Sequence, residues 1–312
     1  MKMTKYIKYS TAILLVMLIK ISWGQQEPVL TQYNFNTQIV NPAYAGSWEN
    51  SGFMLLGRHQ WLGMDGAPRT YALSFQTNSI GEKVGLGLNV INDVVGYEKR
   101  LGVFGDYSYG FKVDEKSLLR LGLKFGFTSY SNDFSKYTQY PGSLDPSIRY
   151  DRNVRFMPNF GVGAYWYSEY YYFGVSVPKL MENDFENQDN YSTEAELRHF
   201  YFIAGYVFEL SESLKFKPTL LTKATVGAPA NFDVTANFLL QEKVWLGAMY
   251  RTWGSFGFIA QWIVDNQLRI GYAVDFSTSK LQQFNNGSHE VMVTYELDFG
   301  KKEKKWISPR MF

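Results

Sequence analysis

The sequence predicts an all-β protein, a transmembrane antiparallel β-barrel of about fourteen strands with a plug-like N-terminal segment. Three observations predict it. In residues 119–128, Leu119, Leu121, Leu123, Phe125 and Phe127 share one phase, and Arg120, Gly122, Lys124, Gly126 and Thr128 the other. Successive strand side chains point to opposite faces, so one face is wholly apolar and the other small or charged. The apolar face suits lipid, and the charged face suits a polar barrel interior. Second, runs close to the ~10 residues of a tilted membrane strand follow one another from Ser51 onward. Third, the connections between them alternate between longer and tight, as outer loops and periplasmic turns do.

Residues 1–24 read as a secretory signal. Lys2, Lys5 and Lys8 precede the apolar run Ala12–Ile19, and Ser22-Trp23-Gly24 supplies small residues before Gln25. The rival, a membrane anchor, is opposed by the shortness of that run and by Lys20. Of the formal +2 charge, Lys2, Lys5, Lys8 and Lys20 carry four, leaving −2 for the rest. A near-neutral chain gives no support for nucleic-acid binding. There is no Cys, hence no disulfide, thiolate site or acylated cysteine anchor. Aromatic residues reach 18%, which suits girdles at two membrane interfaces.

Residues 25–50 are polar and punctuated by Pro42 and Gly46, so they form a structured segment rather than a strand. Tyr33, Tyr44 and nearby Asn residues are candidates to fold into the barrel mouth. Asn41-Pro42 imposes an extended or turn geometry just before the first strand.

The barrel is assigned to 51–299, with strands at 51–61, 69–78, 83–92, 99–112, 117–128, 155–166, 170–178, 197–209, 214–224, 231–240, 244–252, 255–264, 268–276 and 288–299. The last sets Val291, Val293, Tyr295, Leu297 and Phe299 against Glu290, Met292, Thr294, Glu296 and Asp298. Charges keep to the second phase, as expected where a lipid-facing charge costs roughly 2–4 kcal/mol. Runs 170–178, 197–209 and 255–264 are ambiguous, being apolar in both phases. The longer connections are 62–68, 93–98, 129–154, 179–196, 225–230, 253–254 and 277–287, with a tight turn between each pair. An even strand count then places both termini in the periplasm. The tail 300–312, with Lys301-Lys302-Glu303-Lys304-Lys305, reads as a solvated periplasmic extension; its sharper alternative is a docking peptide.

No chemistry of an enzyme stands out. His59, His199 and His289 lack zinc-site spacing, and no Gly-x-Ser-x-Gly elbow occurs. Gly85-Leu86-Gly87 and Gly161-Val162-Gly163 lie inside strands, where small residues fit a crowded interior. Asp145-Pro146 and neighbouring acids read as a polar loop rather than a calcium site. No cofactor or metal is expected.

Several pieces resemble the PorP/SprF family of type IX secretion system membrane proteins of Bacteroidota. They include Thr31-Gln32-Tyr33, Asn41-Pro42-Ala43-Tyr44-Ala45-Gly46, Arg58-His59-Gln60-Trp61, Gly66-Ala67-Pro68-Arg69-Thr70, Pro158-Asn159-Phe160-Gly161-Val162-Gly163 and Ser288-His289-Glu290. The resemblance implies a non-enzymatic outer-membrane barrel that supports secretion or surface display of large gliding adhesins. The implied partners are outer-membrane lipid, an adhesin-type cargo and periplasmic components of the apparatus. Candidate plug, lumen or partner contacts are Tyr33, Asn41, Pro42, Tyr44, Arg58, Gln60 and Trp61. Arg58 and Gln60 share a phase, which charge segregation makes the lumen, so Arg58 is placed to hold a buried carboxylate or a plug carbonyl. The alternative function is an outer-membrane transport barrel for a small solute.

Overall fold

The computed structural model describes residues 30–79, 83–132, 152–184, 195–252 and 254–297. Residues 1–24, expected to be a secretory signal, residues 25–29, the acids near Asp145 and the tail 300–312 lie outside them. Among the described residues fourteen strands form the wall: β1 (Ser51–His59), β2 (Arg69–Ser79), β3 (Val84–Val95), β4 (Glu98–Lys112), β5 (Ser117–Asn132), β6 (Arg152–Ser168) and β7 (Tyr171–Val177), then β8, β9 (Leu214–Thr225), β10 (Ala228–Leu240), β11 (Val244–Arg251), β12 (Ser255–Ile263), β13 (Leu268–Ser277) and β14 (Ser288–Leu297). Strand β8 comprises His199–Tyr206 and Phe208–Ser211, broken at Val207, whose N–H bonds the Tyr170 carbonyl. Each strand is antiparallel to its sequence neighbours, and β1 pairs with β14, so the sheet closes with no free edge.

The two phases part as expected. Leu121, Leu123 and Phe125 are about half exposed, whereas Arg120, Lys124 and Thr128 between them are buried. The same alternation holds on β10, where Phe232, Val234 and Phe238 face out and Asp233, Thr235 and Asn237 face in. In the ambiguous runs the apolar side chains divide between the faces. Phe173, Phe200, Phe202, Phe256 and Phe258 meet the exterior; Tyr172, Tyr201, Ile203 and Ile259 point inward beside Tyr165 and Tyr167. An inward apolar wall needs something apolar to pack against, and residues 30–48 supply it.

The connections at one end have at most four residues. Two of these turns are built on a carboxylate: Asp114 accepts from the Lys116 N–H, and Asp265 from the Gln267 and Leu268 N–H groups. Those bonds hold both carboxyls below their ordinary range. The other end carries the long connections, but two predicted there are shorter than expected. Strands β3 and β4 run on to a two-residue turn at Gly96-Tyr97, and β9 and β10 to one at Val226-Gly227. Gly96 (φ 58°) and Gly227 (φ 85°) supply the left-handed backbone these turns require. Asp93 and Glu98 read as loop because a strand end beyond the apolar band can be polar on both faces, and Gly227-Ala228-Pro229 because glycine and proline signal a turn.

Candidate functional site: the filled barrel interior

Residues 30–48 are buried, with Ile39 and Val40 alone half-buried. Their path runs along the inside of the wall. Leu30 lies at the long-loop end, where its carbonyl accepts from Arg251 near the tip of β11. Trp48 and Glu49 lie at the tight-turn end, where their carbonyls accept from Asn78 Nδ2. The chain then reverses into β1. Two short 3-10 turns, Thr37–Ile39 and Pro42–Tyr44, shape the segment. Asn41 is extended (φ −134°, ψ 110°), as a residue before proline must be, and its Oδ1 accepts from the Ala43 N–H.

At the long-loop end Arg58 makes three bonds from Nη1: to Glu290 Oε1 at 2.6 Å, Asp275 Oδ2 at 2.7 Å and Thr31 Oγ1 at 2.9 Å. Glu290 in turn accepts from the backbone N–H groups of Thr31 (2.5 Å) and Gln32 (3.0 Å). A neighbouring pair, Arg251 with Asp233 (2.8 Å), reaches Leu30, and the Tyr33 hydroxyl donates to the Asp233 carbonyl. These charges are buried, which is tolerable only because each is paired and hydrogen-bonded. Lys217 lies between Phe35 and Trp245, its Nζ 4.9 and 4.6 Å from the two ring centres, a desolvated cation–π contact.

Farther along, Gln38 Nε2 donates to Asp106 (3.0 Å), which also holds Lys124 (2.8 Å). Ser176 Oγ donates to the Val40 carbonyl, Asn41 Nδ2 to the Ala164 carbonyl, and Ser108 Oγ to the Ala45 carbonyl. Tyr44 packs edge-on against Tyr165. The wall makes room for this chain with glycine. A methyl group at Gly85 would overlap the Ala45 carbonyl, at Gly122 the Ala43 backbone, at Gly163 the Asn41 amide and at Gly271 the Gln32 amide.

Of the residues singled out from the sequence, Tyr33, Asn41, Pro42, Tyr44 and Arg58 are in this interior. Gln60 and Trp61 are not brought to them: β1 ends at His59, and both residues are half-buried at the rim. There Gln60 bonds the Pro68 carbonyl through its N–H, and Trp61 takes a left-handed backbone (φ 49°). Sequence reasoning missed Glu290, Asp275, Asp233, Arg251, Asp106 and Lys217 as contacts of the segment. Their shared signal is a charge in the inward phase of a strand whose other phase is apolar. No set of three or more His, Asp or Glu among the described residues is grouped to hold a metal.

A family model described as the type IX secretion system membrane protein PorP/SprF matches residues 22–295. No curated protein matches the chain. Among solved structures, the CymD monoaromatic hydrocarbon channel is similar over 89% of this chain and 96% of its own, at 11% identity and TM-score 0.50. A Pseudomonas aeruginosa FadL homologue is similar over 88% and 96%, at 11% identity and TM-score 0.48. Acinetobacter baumannii Omp33 is similar over 80% and 99%, at 8% identity and TM-score 0.46. Likeness at such identities concerns the barrel fold alone.

Proposed function

The chain belongs to the PorP/SprF family of type IX secretion system membrane proteins, and from that premise we propose that it is a closed, non-enzymatic anchoring barrel. It supports the secretion or surface attachment of a large adhesin-type cargo in the gliding machinery and conducts no solute. The observation that carries this reading is the burial of residues 30–48 against nearly every strand, with wall glycines fitted to their backbone. A barrel whose interior is occupied by its own chain has its ends left for partners. The long-loop end faces outward and holds cargo; the tight turns, with the tail, face the periplasmic parts of the apparatus. Strands β1 and β14 accordingly begin and end on the periplasmic side, whereas Leu30, at the long-loop end, lies on the outer side, so in this reading the expectation of two periplasmic ends holds for the wall and not for the start of the described segment.

The filled interior speaks against the alternative, a transport barrel for a small solute. Purified protein in planar bilayers is expected to show no steady conductance, and protein lacking residues 30–48, where it folds, to conduct. In cells, deleting the gene is expected to remove the partner adhesin from the surface. Steady conductance of the intact protein, or undiminished adhesin display after deletion, overturns the reading.

A further inference from the structure

The outer wall carries a second feature at its long-loop rim. Six residues stand in register on five neighbouring strands and the next: His289 on β14, His59 on β1, Arg69 on β2, Val94 on β3, Lys99 on β4 and Ser131 on β5. All belong to the outward phase, since Arg58, Thr70, Asp93, Arg100 and Glu290 beside them take the inward one. The Arg69 and Lys99 side chains are exposed and make no hydrogen bond, ion pair or ring contact among the described residues. The acids at this level, Asp93 and Glu98, lie in the inward phase; Asp93 is held by Thr70 and Glu98 by Arg100. The nearby Asp65 is exposed in the 60–68 connection, outside the row.

Tyrosines hold the imidazoles. The Tyr71 hydroxyl is 2.9 Å from His59 Nε2, and the Tyr272 hydroxyl is 2.6 Å from His289 Nδ1. The next outward row holds exposed Val291, Tyr71 and Leu101 beside Gly57, Asn92 and Ser129, and exposed Leu55 lies one step further below, at the top of the apolar exterior. Cations at the edge of an apolar band, with no acid among the described residues to pair them, fit an anionic headgroup. Arginine's planar fork matches phosphate oxygens bidentately. Arg69 and Lys99 are two strands apart, roughly 10 Å, within reach of one phosphorylated headgroup or two adjacent ones.

We propose that this row is a binding site for a phosphate-bearing lipid headgroup, with Arg69 and Lys99 as the charged contacts and His59 beside them. The proposal uses the orientation above only to say which leaflet supplies the lipid. The test is native mass spectrometry of the full-length protein released from nanodiscs of phosphatidylcholine doped with diphosphoryl lipid A. Retention of that lipid is expected, with a fall of about tenfold or more in Arg69→Gln/Lys99→Gln. The same charge loss at the opposite end, Lys116→Gln/Lys243→Gln, leaves retention unchanged, and heat-modifiable migration shows that each variant is a closed barrel. Equal retention of dephosphorylated lipid A, retention unmoved by the double substitution, or equally tight binding of inorganic phosphate would overturn it. None of these readouts depends on cargo, conductance or membrane orientation.

Discussion

Replacing Arg58 by Met tests whether residues 30–48 are part of the wall or merely lie in it. Arg58 is 3% exposed, and a single nitrogen serves Glu290, Asp275 and Thr31 within 2.9 Å. Met keeps much of the volume and removes the charge. Two carboxylates, at 5% and 0% exposure, then share a dry site with no cation between them. Removing one partner of a buried pair costs roughly 3–5 kcal/mol, because the remaining charge stays desolvated. The cost belongs to the pairing rather than to charge itself. Arg58→Met/Asp275→Leu/Glu290→Met is therefore expected to be more stable than Arg58→Met alone. It still falls short of the original, since the Thr31 and Gln32 N–H groups lose their acceptor, at about 1–3 kcal/mol each. The assay is urea unfolding in lipid vesicles, followed by tryptophan fluorescence, with single-channel recording of the folded protein. A loss for Arg58→Met within the roughly ±0.5 kcal/mol of an ordinary exposed substitution would refute the reasoning.

The wall glycines make a steric prediction: Gly122→Leu drives a side chain into the Ala43 backbone and is expected to lower the yield of heat-modifiable barrel, whereas Gly96→Ala, with open space around it, costs only its backbone strain. On the exterior, Leu123→Arg puts a charge in lipid at roughly 2–4 kcal/mol near the midplane, read from the urea midpoint in vesicles. The chain has no cysteine, so Asn36→Cys/Ser74→Cys, whose parent side chains meet at 3.3 Å, reports seating directly. Its oxidised form is expected to cross-link in intact cells without loss of adhesin display; loss of display on oxidation alone would mean that the segment must leave during function. The Asp265 carboxyl is depressed by the Leu268 and Gln267 N–H groups. Its contribution is present above the unfolded carboxylate pKa and is lost as pH falls through the lower folded value, so the acid dependence of unfolding should weaken in Asp265→Asn.

The wall was legible where lipid imposes a strict rule. Residues 119–128 could be assigned to two faces because no charge can be spared for the outer one. The rule fails where a strand leaves the apolar band, so Asp93 and Glu98 read as a loop although they pair in β3 and β4. It is also silent about an interior that is not polar. Tyr172, Tyr201 and Ile259 face inward because Tyr44, Phe35 and their neighbours are there to cover them, a fact about the segment and not about the strands. Tyr33, Asn41 and Tyr44 could be picked out as occupants, but their partners could not. Gly122 and Gly163 read as generic small residues. Only the fold reveals that the neighbour each accommodates is a specific backbone or amide of residues 41–43.

The register across the closing seam ties the segment to barrel formation. Arg58 and Glu290 are direct cross-strand partners on β1 and β14, the first and last strands of the wall. Thr31 and Gln32 donate their N–H groups to that same Glu290. The acceptor that fixes the long-loop end of the segment thus arrives only with the last strand, whereas Gly85, Gly87 and Gly122, which accept its other end, are on β3 and β5. The wall encloses the segment laterally, so docking before closure spares it a passage through the tight-turn mouth. The order that meets both constraints is docking of residues 38–46 on the early strands, followed by closure of β14 onto β1 around Thr31. Arg58 then gains Glu290 and the segment gains its last anchor in one step, so an open wall and an empty interior are expected to occur together.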